Sequence, residues 1–407
     1  VKVAFVTVRV PFPLNSGGRI RTFHLLKHIS QVHRVTLVTA VESAQEAQAA
    51  AALEERLPQV TMRLARVPPR NTLARRAGRA LRSPIDRLPY TWAGYRHPRF
   101  TQNLRHALTA ERYDLLHCDH TQVAHAVLAL ETPPRLLNAH NVDSVLIERL
   151  AVVERRSWRR ALLAWQARKV AAAERRTYPA FDGALAMSEV DRVHIERLAA
   201  GRPVWTIPNG VDVGWFEPTQ TEPEPGLMVF SGAMDWLPNV DAVEFFARDI
   251  LPLVRTRLPA ARLLVAGRDP SPALRARLAG TGIELTGTVD DIRPYLARGA
   301  LFVVPLRVGS GTRLKILEAW AMGRPVLSTT LGAEGLPARD GDNIAIADEP
   351  AGFAGRAAAL LADPATARRL GAAGRRVVEE TWSWKRIGDR LLEAYEATLA
   401  RGRRSRA

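Results

Sequence analysis

The residues best suited to chemistry lie in Val303–Thr330, which reads VVPLRVGSGTRLKILEAWAMGRPVLSTT. An apolar run ends at Pro305, the turn Gly309-Ser310-Gly311 follows, and a helix opens around Thr312 and runs to Met322, where Gly323 stops it. Glycines ahead of a helix let the backbone approach a ligand. The helix N-terminus adds unpaired N–H groups and a partial positive charge, which suits a diphosphate. Arg313 and Lys315 place two cations in the first turn. Glu318 follows one turn later, and its carboxylate can accept hydrogen bonds from vicinal hydroxyls such as those of a ribose. Lys315 also stands out because the chain has only Lys2, Lys27, Lys169, Lys315 and Lys385, and otherwise uses arginine. The pattern is neither a Walker A loop nor the three-glycine dinucleotide fingerprint. An ordinary strand–loop–helix with an exposed charged turn is the lesser alternative.

Three further groups carry chemistry-capable side chains. Gly17-Gly18, followed by Arg19 and Arg21, would free the backbone near a ligand, or simply make a strand–helix turn. His140-Asn141-Val142-Asp143 sits at a strand end, where the histidine could act and Asn141 or Asp143 could cap the next helix. His117-Cys118-Asp119-His120 has metal-ligand residue types, but successive strand residues point to opposite faces and cannot all converge on one ion. No metal site is expected there. His24 and His28 share a helix face without a zincin glutamate and read as packing.

The elements that must position these groups alternate strand and helix. Lys2–Val8, Arg34–Ala40, Val60–Val67, Asp114–Cys118, Arg135–Ala139 and Gly183–Met187 are apolar runs, with helical spacing in Ile20–Ile29 and Ser43–Leu57 between them. Such runs predict a parallel sheet covered on both faces. Pro68–Phe100, rich in arginine and aromatics, interrupts the pattern. After a turn-rich break near Ile207–Asp212, a second series follows: Leu227–Ser231, Ala261–Ala266, Ile283–Thr286, Leu301–Pro305, Pro325–Ser328 and Asn343–Ala347. The expectation is an α/β chain of two Rossmann-like, doubly wound domains, residues 1–213 and 214–383, with ligand sites at the carboxyl ends of the strands facing a cleft between them. The helix 384–400 is expected to return to the first domain, and 401–407 to be a basic tail.

Composition narrows the class. The 407 residues suit two domains, and the single Cys118 excludes an intrachain disulfide framework and fits a reducing compartment. No apolar run reaches membrane length, so a cytoplasmic protein is expected, at most peripheral on the inner face of the cytoplasmic membrane. The formal charge of +17 calls for an anionic partner or reflects compositional bias. Leu150–Tyr178 reads as one basic helix with Trp158 and Trp165, either a membrane-surface element or a cover helix with its tryptophans turned inward.

Gly-Ser-Gly-Thr-Arg-Leu-Lys-Ile-Leu-Glu-Ala-Trp-Ala-Met-Gly-Arg-Pro-Val resembles the donor-site signature of family 4 glycosyltransferases of the GT-B fold. Phe230–Asn239, containing Ser-Gly-Ala-Met-Asp-Trp-Leu-Pro-Asn, resembles a subset associated with bacterial exopolysaccharide clusters. The resemblance implies a donor site of Gly17, Gly18, Gly309, Ser310, Gly311, Thr312, Arg313, Lys315 and Glu318. Glu318 would bind the ribose, and His140 would be the active-site histidine beside the transferred sugar. Two features depart from the family pattern. Ser310 replaces its first glutamate, and Phe230–Asn239 lacks the usual Arg and Lys, a charge that Arg313 and Lys315 would supply. The implied reaction is a retaining transfer, without metal or other cofactor, from a nucleotide-diphosphate sugar to a saccharide or lipid-linked acceptor in cell-surface polysaccharide synthesis. A GT-B nucleotide-sugar epimerase is the alternative. A nucleic-acid partner is not expected, because the basic residues are spread over the chain without aromatic platforms.

Overall fold

The computed structural model describes residues 1–154, 156–309 and 313–404, and it divides into two compact units. The first comprises Val1–Pro208 and Ile387–Ala407, the second Asn209–Arg386. The first holds a seven-stranded parallel sheet of β1 (Lys2–Thr7), β2 (Arg34–Val41), β3 (Val60–Arg66), β4 (Leu115–Asp119), β5 (Arg135–Asn138), β6 (Gly183–Ala186) and β7 (Val204–Thr206). Its order is β3-β2-β1-β4-β5-β6-β7. The second holds β8 (Glu224–Ser231), β9 (Arg262–Ala266), β10 (Ile283–Gly287), β11 (Gly299–Val304), β12 (Val326–Ser328) and β13 (Ala345–Ile346), in the order β10-β9-β8-β11-β12-β13. In each sheet the strand order reverses once, between β1 and β4 and between β8 and β11. Chains leave such a point in opposite directions and open a crevice at the carboxyl ends of the strands.

Continuous apolar runs make these strands because both faces are covered. Val3, Ala4, Phe5 and Val6 of β1 and Leu301, Phe302, Val303 and Val304 of β11 are all buried. β7 was not anticipated, since Val-Trp-Thr is short and only half-buried, and its pattern is too brief to read. It pairs with β6, and Trp205 lies over Gly183, where a Cβ would collide with the indole.

The helices that matter for the sites are α1 (Gly17–Ile29), α2 (Leu73–Arg82), α3 (Asp143–Val153), α4 (Ser157–Thr177), α5 (Leu237–Phe245), α6 (Leu314–Ala321), α7 (Pro364–Thr381) and α8 (Trp384–Arg404). Two expectations are corrected. The basic segment Leu150–Tyr178 is not one helix: α3 ends at Val153 and α4 begins at Ser157. The last helix runs on to Arg404, through four of the seven residues of the expected tail, with Gly402 packed too closely on Pro134 to carry a side chain. From Ile387 onward α8 is part of the first unit, where Gly388 lets it close on the His28 ring and the Tyr395 hydroxyl lies 2.8 Å from His117 Nδ1.

In the second unit α7 braces the end of α6. Arg375 on α7 donates to the carbonyl of Ala321, and the backbone at Gly371 passes so close to the Gly323 carbonyl that a Cβ there would overlap it. A backbone neighbour cannot rotate away, so Gly371→Ala is expected to destabilise the second unit by ~1–3 kcal/mol through overpacking. Chemical denaturation of the variant checks this; an unchanged midpoint would remove Gly371 from the brace.

Candidate functional site

At the β1/β4 switch point the chain buries a carboxylate. Asp119, the last residue of β4, is fully buried, and four side chains donate to it. Its Oδ2 accepts from Thr7 Oγ1 at 3.0 Å and Thr22 Oγ1 at 2.7 Å, and its Oδ1 from Asn138 Nδ2 at 2.7 Å and His140 Nε2 at 2.8 Å. Burial works against the charge, but the surrounding imidazoles and hydrogen bonds hold the Asp119 carboxyl well below the usual range. Arg21, one turn along α1 from Gly18, is also fully buried and donates to Asn138 Oδ1 and to the carbonyls of Ile207 and Pro208. Burial lowers its pKa to about 10 against the pull of Asp119, so it stays charged at neutral pH.

This network fixes two histidines. His140 gives its Nε2 proton to Asp119, which leaves Nδ1 as an acceptor. His120 follows the strand end with a φ of 92°, and its Nδ1 lies 2.7 Å from the Asp119 carbonyl, which leaves Nε2. The rings stack with centroids 3.6 Å apart, and both free nitrogens face Gly18, 3.6 Å from where a Cβ would stand. Burial, then the neighbouring His120, lowers the pKa of His140 to about 3. The result is a stacked pair of imidazoles that present Nδ1 of His140 and Nε2 of His120 at the start of α1. Gly17 opens that helix in the open, as a close-approach turn requires.

The alternation argument against a converging His117–His120 segment holds only in part. His117 turns away to stack on Phe5, but Asp119, His120 and His140 bring ligand-type atoms within 4.8 Å of one another. The reason is the positive φ at His120, which ends the alternation. Both carboxylate oxygens already serve four donors, so the donor set fits a hydrogen-bonded carboxylate better than a metal ligand. Sequence reasoning passed over Asp119 and His120 as site residues.

At the β8/β11 switch point of the second unit, Gly309 takes a φ of 141° beneath the Arg313 guanidinium, which also donates to Leu331 O. Ser310, Gly311 and Thr312 lie outside the described residues. Lys315 reaches from α6 to the end of β8. Its Nζ donates to Asn239 Oδ1 on α5 at 2.9 Å, stands 3.9 Å from the Phe230 ring centroid and leaves no room for a Cβ at Gly232. Burial, then the charge of Arg313, lowers its pKa to about 7. Glu318 on the same helix is partly buried and has no hydrogen-bond or ion-pair partner among the described residues. Burial raises its pKa to about 7, against the pull of Lys315. The structure therefore brings Gly309, Arg313, Lys315 and Glu318 to one switch point and Gly17, Gly18 and His140 to the other.

Comparison with known proteins places this geometry. Residues 15–215 match the family described as Glycosyltransferase Family 4, and residues 225–363 match Glycosyl transferases group 1. A GDP-mannose-dependent monoacylated alpha-(1-6)-phosphatidylinositol monomannoside mannosyltransferase of Corynebacterium glutamicum is 30% identical over 46% of this chain and 54% of its own. The match spans little more than half of the curated relatives' length. Sucrose-phosphate synthase of Thermosynechococcus elongatus superposes with a TM-score of 0.71 at 16% identity, over 98% of this chain and 99% of that one. Anabaena HepE, solved with UDP and glucose, does so at 0.66 and 13% identity, over 97% and 99%. These likenesses establish the GT-B class of two parallel-sheet α/β units.

The sign of the His140 shift gives a test. The unfolded imidazole titrates near 6.5 and the folded one near 3, so between these values the unfolded chain binds more protons. Stability of the first unit is then full above pH 6.5 and falls as pH drops toward 3. His140→Asn is expected to flatten part of that slope, read from denaturation midpoints between pH 7 and 4. An unaltered slope would show that His140 is not buried as a neutral base.

Proposed function

Because the chain belongs to the glycosyltransferases of family 4 and group 1, we propose that it moves a sugar from a nucleotide-diphosphate sugar to a saccharide or lipid-linked acceptor, with retention and without a metal. The observation that carries this reading is the cation Lys315 at the end of β8, one turn from the Glu318 carboxylate, which has no hydrogen-bond or ion-pair partner among the described residues. A cation at a β-strand end with a carboxylate one helical turn away matches the two ends of a nucleoside diphosphate, its phosphates and its ribose. In the first unit, the acceptor nitrogens of His120 and His140 beside Gly18 suit the hydroxyls of the transferred sugar. A phospholipid-borne acceptor is supported by the relative's name, which carries a phosphatidylinositol monomannoside. A role in cell-surface polysaccharide synthesis follows from the resemblance of Phe230–Asn239 to the exopolysaccharide subset.

Glu318→Ala is expected to weaken nucleoside diphosphate binding by at least ~1.5 kcal/mol, the scale of a hydrogen bond to a charged group. Lys315→Ala should weaken a nucleoside diphosphate but not the free nucleoside. Bound phosphates favour the charged lysine, so binding at pH 8 should take up a proton, because free Lys315 is largely neutral above about 7. Calorimetry in buffers of different ionisation enthalpy reads that uptake, and Lys315→Ala should abolish it. Transfer activity is expected to survive EDTA. Binding without uptake, or equal losses for nucleoside and diphosphate, would remove Lys315 from the phosphate site.

A peripheral position on anionic membrane completes the reading. Trp158 and Trp165 are not packed inward, as a cover helix would require: Trp158 is 61% exposed beneath Arg159, and Trp165 is exposed beside Lys169. Trp92, by contrast, is buried and donates to Asp143, so it is not part of that face. Binding to phosphatidylglycerol vesicles is expected at low salt, fading as salt shortens the screening length. Arg156, Arg159 and Arg160 changed to Glu should abolish it; a wild-type chain that stays in the supernatant at low salt would exclude it.

A further inference from the structure

The segment Pro68–Phe100 builds a cavity that the donor chemistry leaves unused. It measures about 480 Å³ and lies within the first unit, over the carboxyl ends of the strands, with Val8 after β1, Ala40 of β2 and Val67 after β3 in its wall. Five arginines line it, with only Glu42 and Asp86 against them. Arg70 pairs with Glu42 and stacks on Tyr95, and Arg96 forms a two-pronged pair with Asp86. Both carboxylates are thereby taken. Arg75, Arg79 and Arg82 have no carboxylate partner among the described residues.

Those three stand at i, i+4 and i+7 of α2, on one face of the helix. Arg79 packs over Tyr90 and donates to the Arg70 carbonyl, yet its Nε is buried without a partner, and so is Nδ1 of the cavity-lining His97. Buried polar atoms are normally satisfied, so the orphaned Arg79 Nε–H marks where an acceptor belongs, and the orphaned His97 Nδ1 adds a second unsatisfied polar atom on the lining of the same cavity. The opposite face of α2 carries Leu73 and Leu81, 83% and 82% exposed, and Ile85 beyond the helix is 86% exposed. The helix thus turns arginines toward a cavity and leucines toward the outside, the reverse of a helix packed on an apolar core.

We propose that this cavity holds a phosphoryl or diphosphoryl group of the acceptor, gripped by Arg75, Arg79 and Arg82 of α2. Guanidinium groups pair with phosphate oxygens through parallel hydrogen bonds, and three on one face match a group with several oxygens and more than one charge. The assignment to the acceptor rests on the transferase reading; the anion site itself does not. The phosphate comes either from a lipid headgroup, whose chains would lie along Leu73, Leu81 and Ile85, or from a soluble phosphorylated sugar.

The test uses the full chain in a background carrying both Lys315→Ala and Arg313→Ala, where the donor site has lost its two cations. Calorimetry with inorganic pyrophosphate is expected to show one site, weakened at least tenfold by Arg75→Ser with Arg82→Ser, two exposed positions whose change spares the packing of Arg79. The same pair of changes in the native background should leave nucleotide-sugar binding within twofold. Unchanged pyrophosphate affinity in the double variant would overturn the proposal. Farnesyl diphosphate in phosphatidylcholine vesicles separates the sources. Affinity tenfold above that of pyrophosphate, lost on Leu81→Asp, assigns a lipid headgroup, and equal affinity assigns a soluble phosphate. Arginine-dependent pyrophosphate binding in a protein that transfers sugar from no nucleotide donor would uphold the cavity and defeat the transferase reading.

Discussion

The first unit is organised around one buried charge, the Asp119 carboxylate. Placing an ion at the end of a parallel strand is costly unless its oxygens are filled, and here β1, α1, β5 and His140, two residues past β5, each contribute a donor. Thr22, Arg21 and Gly18 share one face of α1, so the same helix that satisfies the carboxylate also supplies the buried counter-charge and the close-approach glycine. The orientation of both imidazoles follows from these bonds. A carboxylate that did not accept from His140 would leave that ring free to rotate, and the His120 ring, held by the Asp119 carbonyl, would lose its stacked partner.

The second unit reaches a comparable arrangement with the opposite charge. Lys315 leaves its own helix to lie over Phe230 and against Asn239, on strand and helix ends that carry no cation of their own. Burial sets both Lys315 and Glu318 near neutral pH, where their charges respond to small changes in their surroundings. The Gly371–Gly323 contact matters because α6 must hold its register for that reach to succeed. Packing far from the ligand thus sets the position of one ammonium group.

The excess of arginine finds two physical uses. Part of it forms surface ion pairs such as Arg192 with Glu189 and Glu196, which contribute little. Another part is concentrated on α2 and on α4, beside exposed Leu81 and Trp158, where charge and apolar surface occur together. That combination is unfavourable against water alone and suits an interface that offers anions and hydrocarbon at once.

The alternation of apolar runs and helical patterns was enough to predict two parallel sheets, because a strand buried on both faces has no polar side to disguise it. The turn Gly309, the cations Arg313 and Lys315 and the carboxylate Glu318 were legible for a similar reason: all belong to one strand–loop–helix, whose spacing is local. What the sequence could not convey was every relation that spans many residues. Asp119 and His120 looked like strand residues on opposite faces until a positive φ ended the strand between them. Arg21 could be read only as a residue following a glycine turn, and it is sealed against Pro208, 187 residues away. Lys315 was expected to serve the phosphates, but its partners Phe230 and Asn239 become neighbours only when α6 packs beside β8. The inverted face of α2 is the same case, since a helix's periodicity names its two faces and only the cavity beneath tells which one is turned inward.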